Sequence, residues 1–158
     1  MSRLALRARA LAPVLVVASA SLLGLAAVAQ GAADEPVVKP TAQIKDVMLA
    51  VNSPDESIVK SLTADFRKTD LDDEGWDVVR ARASMVVEAG NLLLGMKPPV
   101  GADDAAGLAK WKQHVADYRG CGEAARDAAV KKDAAAGQAA MTSLQKRCNE
   151  CHKDHRKD

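Results

Sequence analysis

Apolar side chains recur every three or four residues through most of the chain after residue 41, which is the spacing of one face of an α-helix. Three long stripes of this kind run from Trp76 to Leu93, from Leu108 to Ala129 and from Ala140 to Cys151. No stretch of useful length alternates between apolar and polar residues. The pattern therefore predicts helices and no strands.

Residues that cap or break helices separate these stripes. Acidic side chains favour the amino end of a helix because they complement its macrodipole, and glycine and proline end a helix. In chain order, these signals are Asp70 to Glu74, Gly95 with Pro98 and Pro99, Asp103 with Asp104, and Asp133. We therefore expect three long helices that begin at the acidic positions, the last running to about His155.

A shorter stripe over residues 44–66 precedes them and is interrupted at Asn52-Ser53-Pro54. Thr41 can cap its start. Ser53 followed by Pro54 and Glu56 matches a capping box with proline at the first helical position. We expect this first helical segment in two pieces, at about 41–51 and 54–67, with a kink or break between them.

Four amphipathic helical segments joined by short loops predict an all-α fold, most simply an antiparallel four-helix bundle. The predicted domain spans residues 41–158 and follows a proline-containing leader over 34–40. Glycines inside a helix cost about 1 kcal/mol each relative to alanine. They indicate either sequence drift or the close approach of a neighbouring helix or a flat cofactor. Those inside the predicted helices are Gly107, Gly120, Gly122 and Gly137.

The first 33 residues have the order of a secretory signal peptide. Three arginines between residues 3 and 9 precede an apolar run over 11–28, and small residues follow it. We expect cleavage after Ala29 or Ala33, export to the bacterial periplasm, and no stable membrane association afterwards. The alternative is an uncleaved membrane anchor, for which the run is on the short side.

Composition excludes two classes of protein. The chain has 22 basic and 21 acidic side chains, and the first 33 residues carry basic ones only, so the remainder is slightly acidic. That excludes a strongly cationic nucleic-acid binder. Three cysteines are too few for a disulfide-dense scaffold. Aromatic residues make up only 3% of the chain, so the core is short of large side chains, and a bound cofactor would help to fill it.

The most informative motif is Cys148-Asn149-Glu150-Cys151-His152, a CxxCH sequence. Two thiols at this spacing can add to the two vinyl groups of one haem, and the next residue supplies an imidazole for the iron. On a helix the three side chains fall within an arc of about 100°. We therefore expect one covalent haem c, with thioethers from Cys148 and Cys151 and with His152 as the proximal iron ligand.

Three other interpretations of the motif stay open. A structural zinc site needs about four ligands, which Cys121, His114 and His155 would have to complete. A redox dithiol usually opens a helix in a thioredoxin-like fold, whereas this motif lies near the end of a helical chain. A chance match would leave a haem-free structural protein. Cys121 itself is either a small buried residue or a thiol that reacts or pairs with another molecule.

A helical bundle with CxxCH almost at its carboxyl end resembles the class II c-type cytochromes, the cytochrome c′ family. Arg156, four residues after His152, and the apolar first helix also carry the resemblance. It implies that Arg156 lies near the haem edge or a propionate. Family members often have an aromatic residue where this chain has His155, which we expect to contact the haem surroundings without binding iron. Dimers occur in that family, so a homodimer is an open alternative.

In proteins of this family, the residue at the second axial position of the haem iron determines the function. In the family, a methionine ligand from the first helix gives six-coordinate iron and electron transfer, whereas a non-ligating residue leaves iron that binds small gases. Met48 lies on the inward stripe between Ile44 and Val51. We expect it to be the distal ligand and the protein to be a one-electron carrier, not an enzyme. The alternatives are core filling by Met48 and a five-coordinate site for nitric oxide or carbon monoxide.

The carboxyl end of the chain is basic although the domain is slightly acidic. One explanation is that cations complement the macrodipole at the end of the last helix. The other is a docking patch for an acidic redox partner protein, whose encounter it would accelerate. The residues concerned are Lys146, Arg147, Lys153, Arg156 and Lys157.

Overall fold

The computed structural model describes residues 41–156, which form five α-helices and no strand. The helices are α1 (Ile44–Asn52), α2 (Ile58–Asp65), α3 (Asp73–Leu94), α4 (Ala105–Val130) and α5 (Ala134–His155). This confirms the all-α prediction. None of these five helices is long and apolar enough to cross a membrane. The predicted signal peptide (1–33), its cleavage positions, the leader (34–40) and residues 157–158 lie outside the described residues.

The three long helices begin where their acidic residues predict. Each is capped by an aspartate whose carboxylate accepts a hydrogen bond from the backbone N–H three residues later. The pairs are Asp72 with Gly75 (2.8 Å), Asp104 with Gly107 (2.6 Å) and Asp133 with Ala136 (2.9 Å). A cap of this kind contributes about 1 kcal/mol to stability, because it satisfies a donor that the helix itself leaves unpaired.

The first helical segment breaks as expected, but its boundaries differ from the prediction. Thr41 does not cap α1. The amino end of α1 is capped by reciprocal hydrogen bonds between Gln43 and Asp46. The capping box at Ser53 is also wrong, since Ser57 caps α2 and accepts from Lys60 N at 3.2 Å. Residues 54–56 are all exposed, so extending the helix through them would bury no apolar surface to offset its entropic cost.

The helices pack as a helical bundle around one core. The most extensive contacts join α3 to α4 and α4 to α5, while α1 and α2 pack on each other and on α3. The predicted stripes supply the buried side chains, although Trp76 and Leu108 are only half-buried. Fully buried members include Phe66, Leu62, Leu144, Val79, Val86 and Val115.

Among the helical glycines named above, Gly122 and Gly137 mark close approaches between helices. A Cβ at Gly122 would lie 3.1 Å from the backbone nitrogen of Val87 on α3. A Cβ at Gly137 would overlap the ring of Phe66, which is fully buried at the end of α2. Gly120 is different, because nothing lies within 4 Å of the position of its missing Cβ. Close approach therefore explains Gly122 and Gly137, but not Gly120.

These differences predict opposite effects of the same substitution. Gly137→Ala should lower the free energy of unfolding by about 1–3 kcal/mol, because the buried Phe66 ring must move. Gly120→Ala should raise it by about 0.5–1 kcal/mol, because alanine loses less backbone entropy in an open helix position. Urea unfolding of the two variants beside the wild type measures both changes. Equal effects of the two substitutions would contradict the packing described here.

Candidate functional site

Two adjoining cavities lie beside the CxxCH motif. The smaller has a volume of about 70 Å³ and includes Cys148, Val115 and Tyr118 in its lining. The larger is a cleft of about 630 Å³ that includes Lys45 and Arg156. Both are lined by one set of five residues contributed by α1, α4 and α5: Met48, Asn52, Trp111, Cys151 and His152. The two cavities therefore adjoin each other between these helices.

The motif residues all face this region from α5. Cys148 and Cys151 are half-buried free thiols. Cys148 lines the small cavity, and Cys151 lines both cavities. His152 also lines both and is exposed to solvent. The structure thus brings together the three α5 side chains that the sequence singles out.

Met48 lines the same two cavities from α1. It is half-buried, while its neighbours Val47 and Val51 are buried. Its sulfur accepts a hydrogen bond from Asn52 Nδ2 at 3.8 Å, and Asn52 Oδ1 accepts one from the Tyr118 hydroxyl at 3.1 Å. Burial raises the pKa of Tyr118, so its hydroxyl keeps the proton that it donates. Sequence patterns do not reveal this arrangement, because Asn52 and Tyr118 are far apart in the chain.

Trp111 forms a common wall of the two cavities. Its side chain is buried, and its indole Nε1–H donates to the carbonyl oxygens of Leu93 (3.2 Å) and Met96 (3.0 Å). Its ring also meets the ring of His155 edge-on, with 5.4 Å between the centroids. The sequence stripe predicts the burial of Trp111, but not its contact with the turn after α3 or with α5.

The environment of the motif favours uncharged side chains. Burial raises the pKa of Cys148 to about 11 and that of Cys151 to about 11. Burial, with a smaller contribution from the charge of Arg156, lowers the pKa of His152. The thiols are therefore protonated at neutral pH, unlike the low-pKa thiolates of redox dithiols. A neutral imidazole keeps the lone pair that a metal ligand needs.

Other methionine, histidine and cysteine side chains are placed less favourably for contact with a group in these cavities. Met85 is 49% exposed on α3, and Met141 is buried on α5 outside both cavities. His114 lines the small cavity, but its Nε2 is bonded to the Asp154 carboxylate at 2.8 Å. Cys121 is half-buried and lines neither cavity, and burial raises its pKa as well. Zinc would need converging ligands, and no three His, Cys, Asp or Glu side chains within 41–156 are placed to hold a metal ion.

The basic end of the chain is partly neutralised by its neighbours. Arg147 pairs with Glu150 at 2.7 Å and lies 3.8 Å from Asp117. Lys146, Lys153 and Arg156 are exposed. Lys157 lies outside the described residues. The exposed cations among residues 146–156 thus lie around the motif, and Arg156 also lines the wide cleft.

Comparison of the chain with protein-family models, with curated proteins and with solved structures finds no match. The chemistry of the site is therefore defined by its own side chains. These are two thiols and an imidazole on α5, a thioether on α1, and the indole wall on α4. Sulfur and imidazole groups suit a transition-metal centre better than a hard cation such as Mg²⁺.

The raised thiol pKa values predict slow alkylation of the haem-free chain. The thiolate is the reactive form, so Cys148 and Cys151 should react slowly with iodoacetamide at pH 7. Their rates should increase up to about pH 11. Mass spectrometry of the cysteine peptides measures each rate, with the chain unfolded in guanidinium as the control. Fast native-state alkylation at pH 7 would contradict the buried positions of these thiols.

Proposed function

We propose that this protein is an exported monohaem c-type cytochrome that transfers single electrons between partner proteins. The observation that carries the proposal is the shared cavity. Cys148, Cys151 and His152 of α5 line the small cavity together with Met48 of α1, and all of them except Cys148 also line the cleft. This set contains the two attachment thiols and both axial ligands that a six-coordinate c-type centre requires. An antiparallel four-helix bundle and export to the periplasm belong to the same proposal.

The lining of the cavity suits a haem. Ligand pockets commonly measure about 300–1,000 Å³ and are mainly apolar with a few polar groups. The cleft, which Cys148 does not line, is about 630 Å³, and the adjoining small cavity, which Cys148 lines, adds about 70 Å³. Cys148 and Cys151 would hold the group by thioether bonds, His152 would bind the iron, and Met48 would supply the sixth ligand. The haem, when bound, contributes an iron centre that accepts and releases one electron.

The remaining residues of the cavity set the conditions for electron transfer. Leu93, Trp111 and Val115 are buried apolar walls, and a hydrophobic shell of this kind controls solvent access and reduction potential. Asn52 holds the sulfur of Met48 through the 3.8 Å bond, and Tyr118 holds Asn52. A ligand that is already positioned needs less rearrangement when the iron changes its oxidation state.

The exposed side of the site is where a redox partner would dock. His152 and Arg156 are exposed and line the wide cleft. Lys146 and Lys153 are exposed cations on the same helix, before and after the motif. Charges of one sign around a binding face steer oppositely charged proteins and increase their rate of encounter. We therefore propose acidic redox proteins as the partners.

Covalent attachment tests the first part of this proposal. The wild-type chain, produced in a host that attaches haem c, should carry one haem that survives denaturation. Cys148→Ala combined with Cys151→Ala should abolish covalent attachment, because no thiol remains at the motif. Cys121→Ala is the control and should keep full attachment, since Cys121 lies outside the cavity. A pyridine haemochrome spectrum with intact mass detects the haem, and a wild-type chain without it would refute the proposal.

The role of Met48 is tested separately. Met48→Ala should abolish the weak far-red absorption band of a methionine–iron bond in the oxidised protein. It should also lower the reduction potential, because a methionine axial ligand raises the potential. Met85→Ala is the matched control and should change neither, since Met85 is exposed on α3. A wild-type spectrum without the band would make Met48 a wall residue of a five-coordinate site.

A further inference from the structure

His155 carries a buried nitrogen with no partner. The side chain is 4% exposed, and its Nδ1 lies 3.0 Å from the carbonyl oxygen of Val100. A carbonyl oxygen only accepts, so Nδ1 holds the proton and donates it. Nε2 on the other side of the ring is buried and makes no hydrogen bond. An unsatisfied buried group costs about 1–3 kcal/mol, and native proteins rarely leave one without a partner.

The ring of His155 is held in place on several sides. Trp111 and His114 pack edge-on against it, with centroid distances of 5.4 and 5.6 Å. The turn that presents Val100 is itself fixed, because Gly101 has a φ of +79° and packs directly on Gly107 at the start of α4. The His155 side chain is therefore not free to rotate so that Nε2 reaches solvent.

His155 lines the wide cleft, together with the cationic side chains of Lys45 and Arg156. These three nitrogen groups lie at the cleft and not in the small cavity, where Cys148 lies. Positive and hydrogen-bonding nitrogen groups recognise carboxylates. The lining of the cleft thus includes nitrogen groups that suit an acidic group, and His155 is the buried one among them.

We propose that Nε2 of His155 hydrogen-bonds a propionate carboxylate of the haem bound in this cleft. The inference rests on the proposed function, because propionates are the ionised groups on the rim of a haem. Since Nδ1 keeps its own proton on Val100, the new bond contains one further proton, shared between Nε2 and the carboxylate oxygen. The exposed Arg156 would then provide a second, weaker contact at the surface.

Two substitutions distinguish the proposed hydrogen bond of Nε2 to a propionate from the structural hydrogen bond of Nδ1 to Val100. His155→Asn places an amide where Nδ1 lies, so it keeps the bond to Val100 and loses Nε2. His155→Gln places an amide donor where Nε2 lies and loses the bond to Val100. Both are compared with the wild type as haem-loaded and haem-free full-length chains. The readouts are the reduction potential and the increase in melting temperature that the haem provides.

The proposal predicts a larger effect of His155→Asn than of His155→Gln. An unpaired carboxylate near the iron favours the ferric form. His155→Asn should therefore shift the ferric–ferrous equilibrium about tenfold, which lowers the potential by about 59 mV for one electron. It should also reduce the stabilisation that the haem gives, while His155→Gln keeps most of both. Equal effects of the two variants, or no change in either readout, would overturn the inference.

A crystal structure of the haem-loaded wild-type chain tests the contact without any variant. We expect Nε2 of His155 within hydrogen-bonding distance of a haem carboxylate oxygen. A haem-loaded structure with Nε2 bonded only to water, or to nothing, would overturn this inference and leave the proposed function standing. A chain that carries no covalent haem would instead overturn the proposed function and this inference with it.

Discussion

The indole of Trp111 connects the helices that surround the cavity. Trp111 Nε1–H donates to the carbonyl oxygen of Leu93, in the last turn of α3, and to that of Met96, just beyond the helix. This bond fixes the turn after α3 on α4. The same ring meets His155 of α5 and lines both cavities. If the indole bond were lost, the wall of the cavity and the position of the motif would change together.

The core of this chain is short of large side chains. Alanine occupies several of the buried positions on α3 and α4, and the chain has few aromatic residues. Small side chains let helices approach closely, as Gly137 does with Phe66, but they fill little volume elsewhere. Protein interiors are normally close-packed, so the space beside Cys148 and Met48 is consistent with a bound group that completes the core.

Much of this fold could be predicted from local patterns. The apolar stripes predict α3, α4 and α5, and the carboxylates of Asp104 and Asp133 predict two of their starts. Ser53 does not cap α2 because Ser57 makes the capping bond instead. Residue spacing alone does not show which of the two serines caps the helix. Within the site, CxxCH is a local signal and could be recognised. The bonds of Asn52 to Tyr118 and of His155 to Val100 join distant parts of the chain and leave no such signal.

Carbon monoxide binding to the reduced, haem-loaded protein tests the central claim most directly. If Met48 binds the iron as we propose, both axial positions are filled and the gas has no open site. The reduced spectrum should show sharp split bands and should stay unchanged when carbon monoxide is added. Broad high-spin bands that shift with carbon monoxide would contradict the account, because they would show an open iron and a gas-binding protein.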